Sequence, residues 1–154
     1  MKKVLSICFI IVLCFALISC ENEAEPITSV EYEIGNISFS MPYDVQVDTR
    51  DEKVLAFTDG TEVLFTEANI LDKGQFDKVY EDLCNDVSVN DVSKCEFAGM
   101  PTVSYFTYEG HPVYFLVDLD ESIAYLFLFN SYTIEDEEQY VSIMQTVAKK
   151  EANQ

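Results

Sequence analysis

From Val4 to Ile18 the chain is one apolar run, broken only by Ser6 and the small thiols Cys8 and Cys14, with Lys2 and Lys3 ahead of it. It turns polar at once in Glu21-Asn22-Glu23-Ala24-Glu25-Pro26. A spanning helix needs roughly 20 apolar residues, and this run has about 15. A basic start followed by a short apolar segment has the form of an export signal, so residues 1–19 are set apart from the fold. The acidic, Pro-containing stretch 20–30 reads as a flexible tether, and 31–150 as a single domain.

Beyond the tether the period is two. Tyr32-Glu33-Ile34, a turn at Gly35-Asn36 and Ile37-Ser38-Phe39-Ser40 form a hairpin that Pro42 ends. Val54 to Thr58, Asp59-Gly60 and Thr61 to Ile70 form a second, Gly60 supplying the positive φ of the turn. The period then becomes helical: Phe76, Val79, Tyr80, Leu83, Cys84 and Val87 share one face of a helix over about 75–88, and acidic residues share the other. A polar loop through Asn90, Asp91 and Ser93 leads to a meander of three strands, Thr102–Tyr108, Pro112–Val117 and Ser122–Asn130. These strands are apolar on both faces, which predicts a sheet covered on both faces. A closing helix carries Tyr140, Ile143, Met144 and Val147 on one side. Its cap is Thr133, and Glu135, Asp136, Glu137 and Glu138 complement the positive end of its dipole. The sum is an α+β domain: a central antiparallel sheet of about six to seven strands covered by two helices.

Three segments, Ile37-Ser38-Phe39-Ser40-Met41-Pro42, Phe97-Ala98-Gly99-Met100-Pro101 and the closing helix, resemble the PsbP-like fold, which many bacterial lipoproteins share. The resemblance covers about residues 31–150 and implies an α/β/α sandwich. The chain departs from the pattern after Pro42, where Tyr43-Asp44 stands in place of Gly-Trp. Such a likeness carries fold and not activity.

Leu17-Ile18-Ser19-Cys20 resembles the bacterial lipobox. The resemblance implies cleavage before Cys20, a diacylglyceryl group on its thiol, and a chain held on the extracytoplasmic face of the cell membrane. Each buried CH2 contributes about 0.8 kcal/mol, so two acyl chains hold where one lets go.

Charge narrows the partners. With 28 acidic and 9 basic residues the net charge is −19, and loss of Lys2 and Lys3 with the signal takes it to about −21. Such a field repels nucleic acid and favours a protein partner with a basic surface.

Candidate chemistry is sparse. The chain lacks a nucleophile elbow, a phosphate-cradling loop and metalloprotease or C-x-x-C motifs. Cys84 and Cys95 are the thiols left after processing. They are either a disulfide closing a loop of about a dozen residues or free thiols acting as small hydrophobes. With His111 they fall short of the four ligands of a structural zinc site, and their spacing sets no base beside a thiol. Asp118, Asp120 and Glu121, and Glu135 to Glu138, read as a solvated turn and a helix start rather than calcium loops. Tyr32, Tyr43 and Tyr108, near strand ends, are the aromatic residues placed for an exposed patch. No catalytic, cofactor or metal residue is assigned. The chain reads as a non-enzymatic binding or accessory module of an envelope complex, the alternative being a hydrolase or transferase with a dispersed acidic site.

Overall fold

Two sheets of unequal size divide the strands. The computed structural model describes residues 29–150 apart from Tyr43, Asn69 and Leu71; the expected export signal, Cys20 and the expected tether as far as residue 28 lie outside the described residues. In chain order the elements are β1 (Ser29–Ile34), β2 (Ile37–Pro42), β3 (Val47–Arg50), β4 (Val54–Phe57), β5 (Thr61–Glu67), α1 (Lys73–Cys84), β6 (Val89–Phe97), β7 (Met100–Thr107), β8 (Pro112–Asp118), β9 (Ile123–Phe129), α2 (Glu137–Gln145) and β10 (Ala148–Lys149). Seven strands form the large antiparallel sheet, in the order β3-β4-β5-β9-β8-β7-β6. The domain is therefore α+β with a seven-stranded antiparallel sheet and two helices, as its periodicities predict. Membership of the sheet differs from expectation. The first hairpin leaves it and forms a separate three-stranded sheet, β1-β2-β10, while β3 and β6 supply the missing strands.

The inner face of the large sheet holds the main core. Alternate residues Tyr125, Phe127 and Phe129 of β9 pack under Ile37, Phe39 and Met41 of β2 and under Tyr140, Ile143 and Met144 of α2, all buried. Phe39 meets Phe127 edge-to-face with centroids 5.1 Å apart, a favourable aromatic geometry. Thr133 caps the turn before α2: its Oγ1 accepts the Glu135 N–H, and Asp136 Oδ2 accepts the Thr133 N–H at 2.9 Å. Asp118, 2 % exposed at the end of β8, meets Lys149 Nζ of β10 at 2.9 Å, so an ion pair ties the small sheet to the large one.

The outer face carries α1. Asp72 caps it by accepting the Gln75 N–H at 2.9 Å, and Phe76 enters a second core with Val103 and Val117. Lys94 of β6 fastens the helix, 2.6 Å from Asp77 and 4.4 Å above the Tyr80 ring. α1 stops at Cys84, short of the expected 88. Asp86 Oδ1 accepts the Ser88 N–H at 2.8 Å and turns the chain out of the helix. Val87, expected on its buried face, is 95 % exposed.

The stretch expected as a polar loop is the edge strand β6. Its bulge between Asn90 and Ser93 places Asp91 at φ 52°. An edge strand presents one face and one side to water, so it carries polar residues where a central strand cannot.

Candidate functional site

Register across the large sheet lines up one row of side chains on its outer face. Val54 lies opposite Leu64, Leu64 opposite Leu126, Leu126 opposite Phe115, Phe115 opposite Val103, and Val103 opposite Lys94. Successive side chains in a strand alternate faces, so this row points away from the core beneath β2 and α2. At one end α1 covers it: Phe76 seals Val103, and Phe115 joins that cluster at its margin. At the other end Val54, Leu64 and Leu126 are only half-buried. Helices lie on both faces of the sheet, as expected, but the outer cover is partial. α1 has 12 residues and spans only the β6–β8 half, leaving β4, β5 and β9 bare.

The bare half forms a trough of about 440 Å³ lined by Val54, Leu64, Thr66, Phe115, Ala124 and Leu126, with Lys53 at its rim. Charge is nearly absent from it. Glu62, in register with Ala56 and Leu128, is the one charged residue among the paired, outward-facing positions of β4, β5, β9 and β8. On a chain of 154 residues with 28 carboxylates, a charge-poor apolar surface has the composition of an interface centre.

A second cleft, of about 390 Å³, lies where the β1–β2 turn meets the β3–β4 hairpin. It mixes Arg50 and Lys150 with Glu33, Asp51 and Glu52, and Lys150 is already 2.8 Å from Glu33. Its charges largely answer one another, so no single ligand charge is selected.

The residues singled out in the sequence fall as follows. Cys20 and Tyr43 lie outside the described residues. Cys84 and Cys95 are free thiols, not a disulfide. They belong to opposite sides of the large sheet. Cys84 ends α1 on the outer face, whereas Cys95 packs against the inner core, and its neighbour Lys94 points to α1. Joining them would require β6 to slip by one residue, which would turn Phe97 out of the core. Burial pushes the Cys95 thiol up.

His111 does not meet a thiol. Its Nδ1 lies 3.2 Å from the Tyr132 carbonyl oxygen, its Nε2 3.7 Å from Glu109, and its backbone N–H donates to Thr107 Oγ1, the contacts of a turn residue. Asp118 and Asp120 are both engaged with Lys149, at 2.9 and 3.9 Å. Among the described residues no three His, Cys, Asp or Glu side chains converge to hold a metal ion. Glu135, Asp136, Glu137 and Glu138 sit around the start of α2. Tyr32 is not part of an exposed patch: it is edge-on to Phe57 at 5.0 Å, and its hydroxyl donates to the Val45 carbonyl at 3.2 Å. Tyr108, at the tip of the β7–β8 hairpin, is 83 % exposed.

A dispersed acidic active site calls for carboxylates pushed up by a cleft. Asp77 and Asp86 move the other way, held low by hydrogen bonds from Lys94 and Ser88 at the surface. The trough was missed in the sequence because Leu64, Leu126 and Phe115 look like core residues; the signal that marks it is the shortness of the helix above it. Neither a family model nor a curated protein matches the chain.

Proposed function

We propose that the chain is a lipid-anchored, extracytoplasmic binding module of a bacterial cell envelope, a PsbP-like domain that docks a protein partner on the bare half of its large sheet. The single observation that carries the docking reading is the open row Val54–Leu64–Leu126–Phe115, apolar and nearly free of charge. Burying it in an interface recovers about 25 cal/mol for each Å² of apolar area removed from water. Anchoring rests on the lipobox-like Leu17-Ile18-Ser19-Cys20. From Cys20 to the start of β1 at Ser29 the chain is nine residues long, a reach of about 30 Å when extended, so the domain works close to the bilayer.

The partner's chemistry follows from charge. A net charge of about −21 on the processed chain, around a neutral trough, favours a surface with an apolar centre and a Lys/Arg-rich rim, and opposes acidic competitors. The test is in-cell crosslinking and pull-down of the lipidated chain, with Leu126→Asp and Cys20→Ala as variants. Wild type is expected to capture a partner that high salt releases when the crosslinker is omitted. Leu126→Asp loses that partner while staying in the membrane fraction, and Cys20→Ala gives a full-length, uncleaved or a soluble species. Capture by Leu126→Asp equal to wild type contradicts the docking surface; an unchanged mature mass of Cys20→Ala that stays in the membrane fraction contradicts the anchor.

A further inference from the structure

A small cavity of about 230 Å³ opens where the bulged edge strand β6 passes the start of α2. Its walls include Tyr114 of β8 and Tyr140 of α2, whose side chains belong to the core; these residues are 6 % and 2 % exposed. The rings are held there by packing, with Tyr114 against Tyr140 at 5.9 Å and Phe106 against Tyr140 at 6.2 Å. Among the described residues neither hydroxyl has a hydrogen-bond partner, and neither is sealed from solvent. Two largely buried phenols thus line one opening, and their oxygens, reached by solvent, are bonded by no protein group among the described residues.

The rest of the lining mixes apolar residues, Phe106, Pro112 and Val113, with further oxygen-bearing side chains. Ser93 and Ser104 share a hydrogen bond of 2.7 Å on the cavity wall. The β6 bulge sets Asp91 at φ 52°, and α2 begins at Glu137, so two exposed carboxylates border the opening. Bulges re-aim side chains in this way. No Lys, Arg or His lines the cavity. Burial raises both phenols, Tyr140 to about 12, and the Glu137 carboxylate adds to each. Both are therefore neutral near pH 7 and close to a negative charge.

We infer that this cavity binds a primary ammonium group, with Tyr114 and Tyr140 hydroxyl oxygens and the Glu137 and Asp91 carboxylates as its acceptors. An ammonium has three donors and no acceptor, which complements the oxygens of a lining that holds no cation, while the apolar residues there suit an alkyl chain. The volume admits the head of a short alkylamine or the end of a lysine side chain. This site lies apart from the trough of the preceding proposal and stands independently of it.

The test is a titration of the full chain, followed through ring signals of labelled tyrosine, with four probes at equal ionic strength: n-butylammonium, butan-1-ol, tetramethylammonium and Nα-acetyl-lysine methylamide. Saturable shifts of the Tyr114 and Tyr140 signals with n-butylammonium are expected, with affinity about tenfold weaker in Tyr140→Phe, which removes an acceptor, and in Glu137→Gln, which removes the negative charge of one. Butan-1-ol lacks the charge and tetramethylammonium lacks the N–H donors, so both bind at least about tenfold more weakly. The lysine derivative binding as tightly as n-butylammonium supports a protein lysine as the source; weaker binding supports a free amine. No saturation by n-butylammonium, equal binding of either control, or unchanged affinity in both folded variants overturns the assignment.

Discussion

Gly35 sits where the small sheet touches the large one, and replacing it with Ala separates two costs that usually come together. Its φ of +53° is a left-handed conformation that a Cβ disfavours. Moving a non-glycine residue into that region costs about 1–2 kcal/mol. The added methyl would also lie 2.6 and 2.7 Å from Cε2 and Cδ2 of Phe65 and 3.1 Å from the Tyr125 hydroxyl. Phe65 is backed by the Tyr125 ring at 5.6 Å, and the Tyr125 hydroxyl accepts the Asn36 N–H at 3.0 Å, so neither retreats without loss. Overpacking of this kind costs about 1–3 kcal/mol. Gly99 supplies the reference: its φ is +74°, and a methyl added there would meet nothing within 4 Å. Gly99→Ala is therefore expected to cost about 1 kcal/mol and Gly35→Ala about 2–4 kcal/mol. Urea unfolding of both variants measures this as a shift in midpoint at unchanged slope. Equal shifts, within about 0.5 kcal/mol, would refute the claim that the β1–β2 turn is seated on Phe65 and Tyr125.

Three further outcomes are expected. Lys149→Met leaves the Asp118 carboxylate buried with only the Asp120 N–H at 3.2 Å; about 2 kcal/mol should be lost, less than for a fully buried pair because Lys149 is 35 % exposed, and Asp118→Asn in the same chain should restore part of it in a denaturant titration. Tyr132 and Tyr140 are each raised by burial to about 12, so the folded state keeps protons that the unfolded chain sheds near pH 10. Their contribution is whole below pH 10 and is lost as pH climbs toward 12, at up to about 1.4 kcal/mol per unit for each; unfolding measured from pH 8 to 12 should show a shallower fall in Tyr140→Phe. Alkylation of the non-reduced domain should label both Cys84 and Cys95, Cys84 faster because it is exposed and Cys95 is half-buried with a raised thiol. A mass two hydrogens lighter with no labelling would show a disulfide instead.

The large sheet's inner half was open to sequence reading because Tyr125, Phe127 and Phe129 alternate with Leu126 and Leu128 over a full strand, the period that marks a strand buried on its aromatic face. The first hairpin was equally legible as a hairpin. Its departure into a second sheet was not, since that depends on β10, whose two residues carry no pattern. β6 escaped notice for the opposite reason: Asn90, Asp91, Ser93 and Lys94 are what an edge strand tolerates and what a loop prefers. Helix length decided the trough. The apolar face of α1 was visible, but the Asp86–Ser88 bonds that halt it early are local polar contacts that periodicity does not weigh. The ammonium cavity combines residues from four elements, β6, β7, β8 and α2, so no spacing along the chain announces it.

The central claim is that the uncovered half of the sheet is where a partner sits. Its most direct test places a photo-reactive phenylalanine analogue at Leu126 in the full-length chain and, as a control, at Glu138 on the exposed start of α2, and irradiates living cells. A discrete adduct from position 126, absent from 138 and abolished by Leu64→Lys in the same chain, is the predicted result. Adducts from 138 alone, or from 126 undiminished by Leu64→Lys, would contradict it.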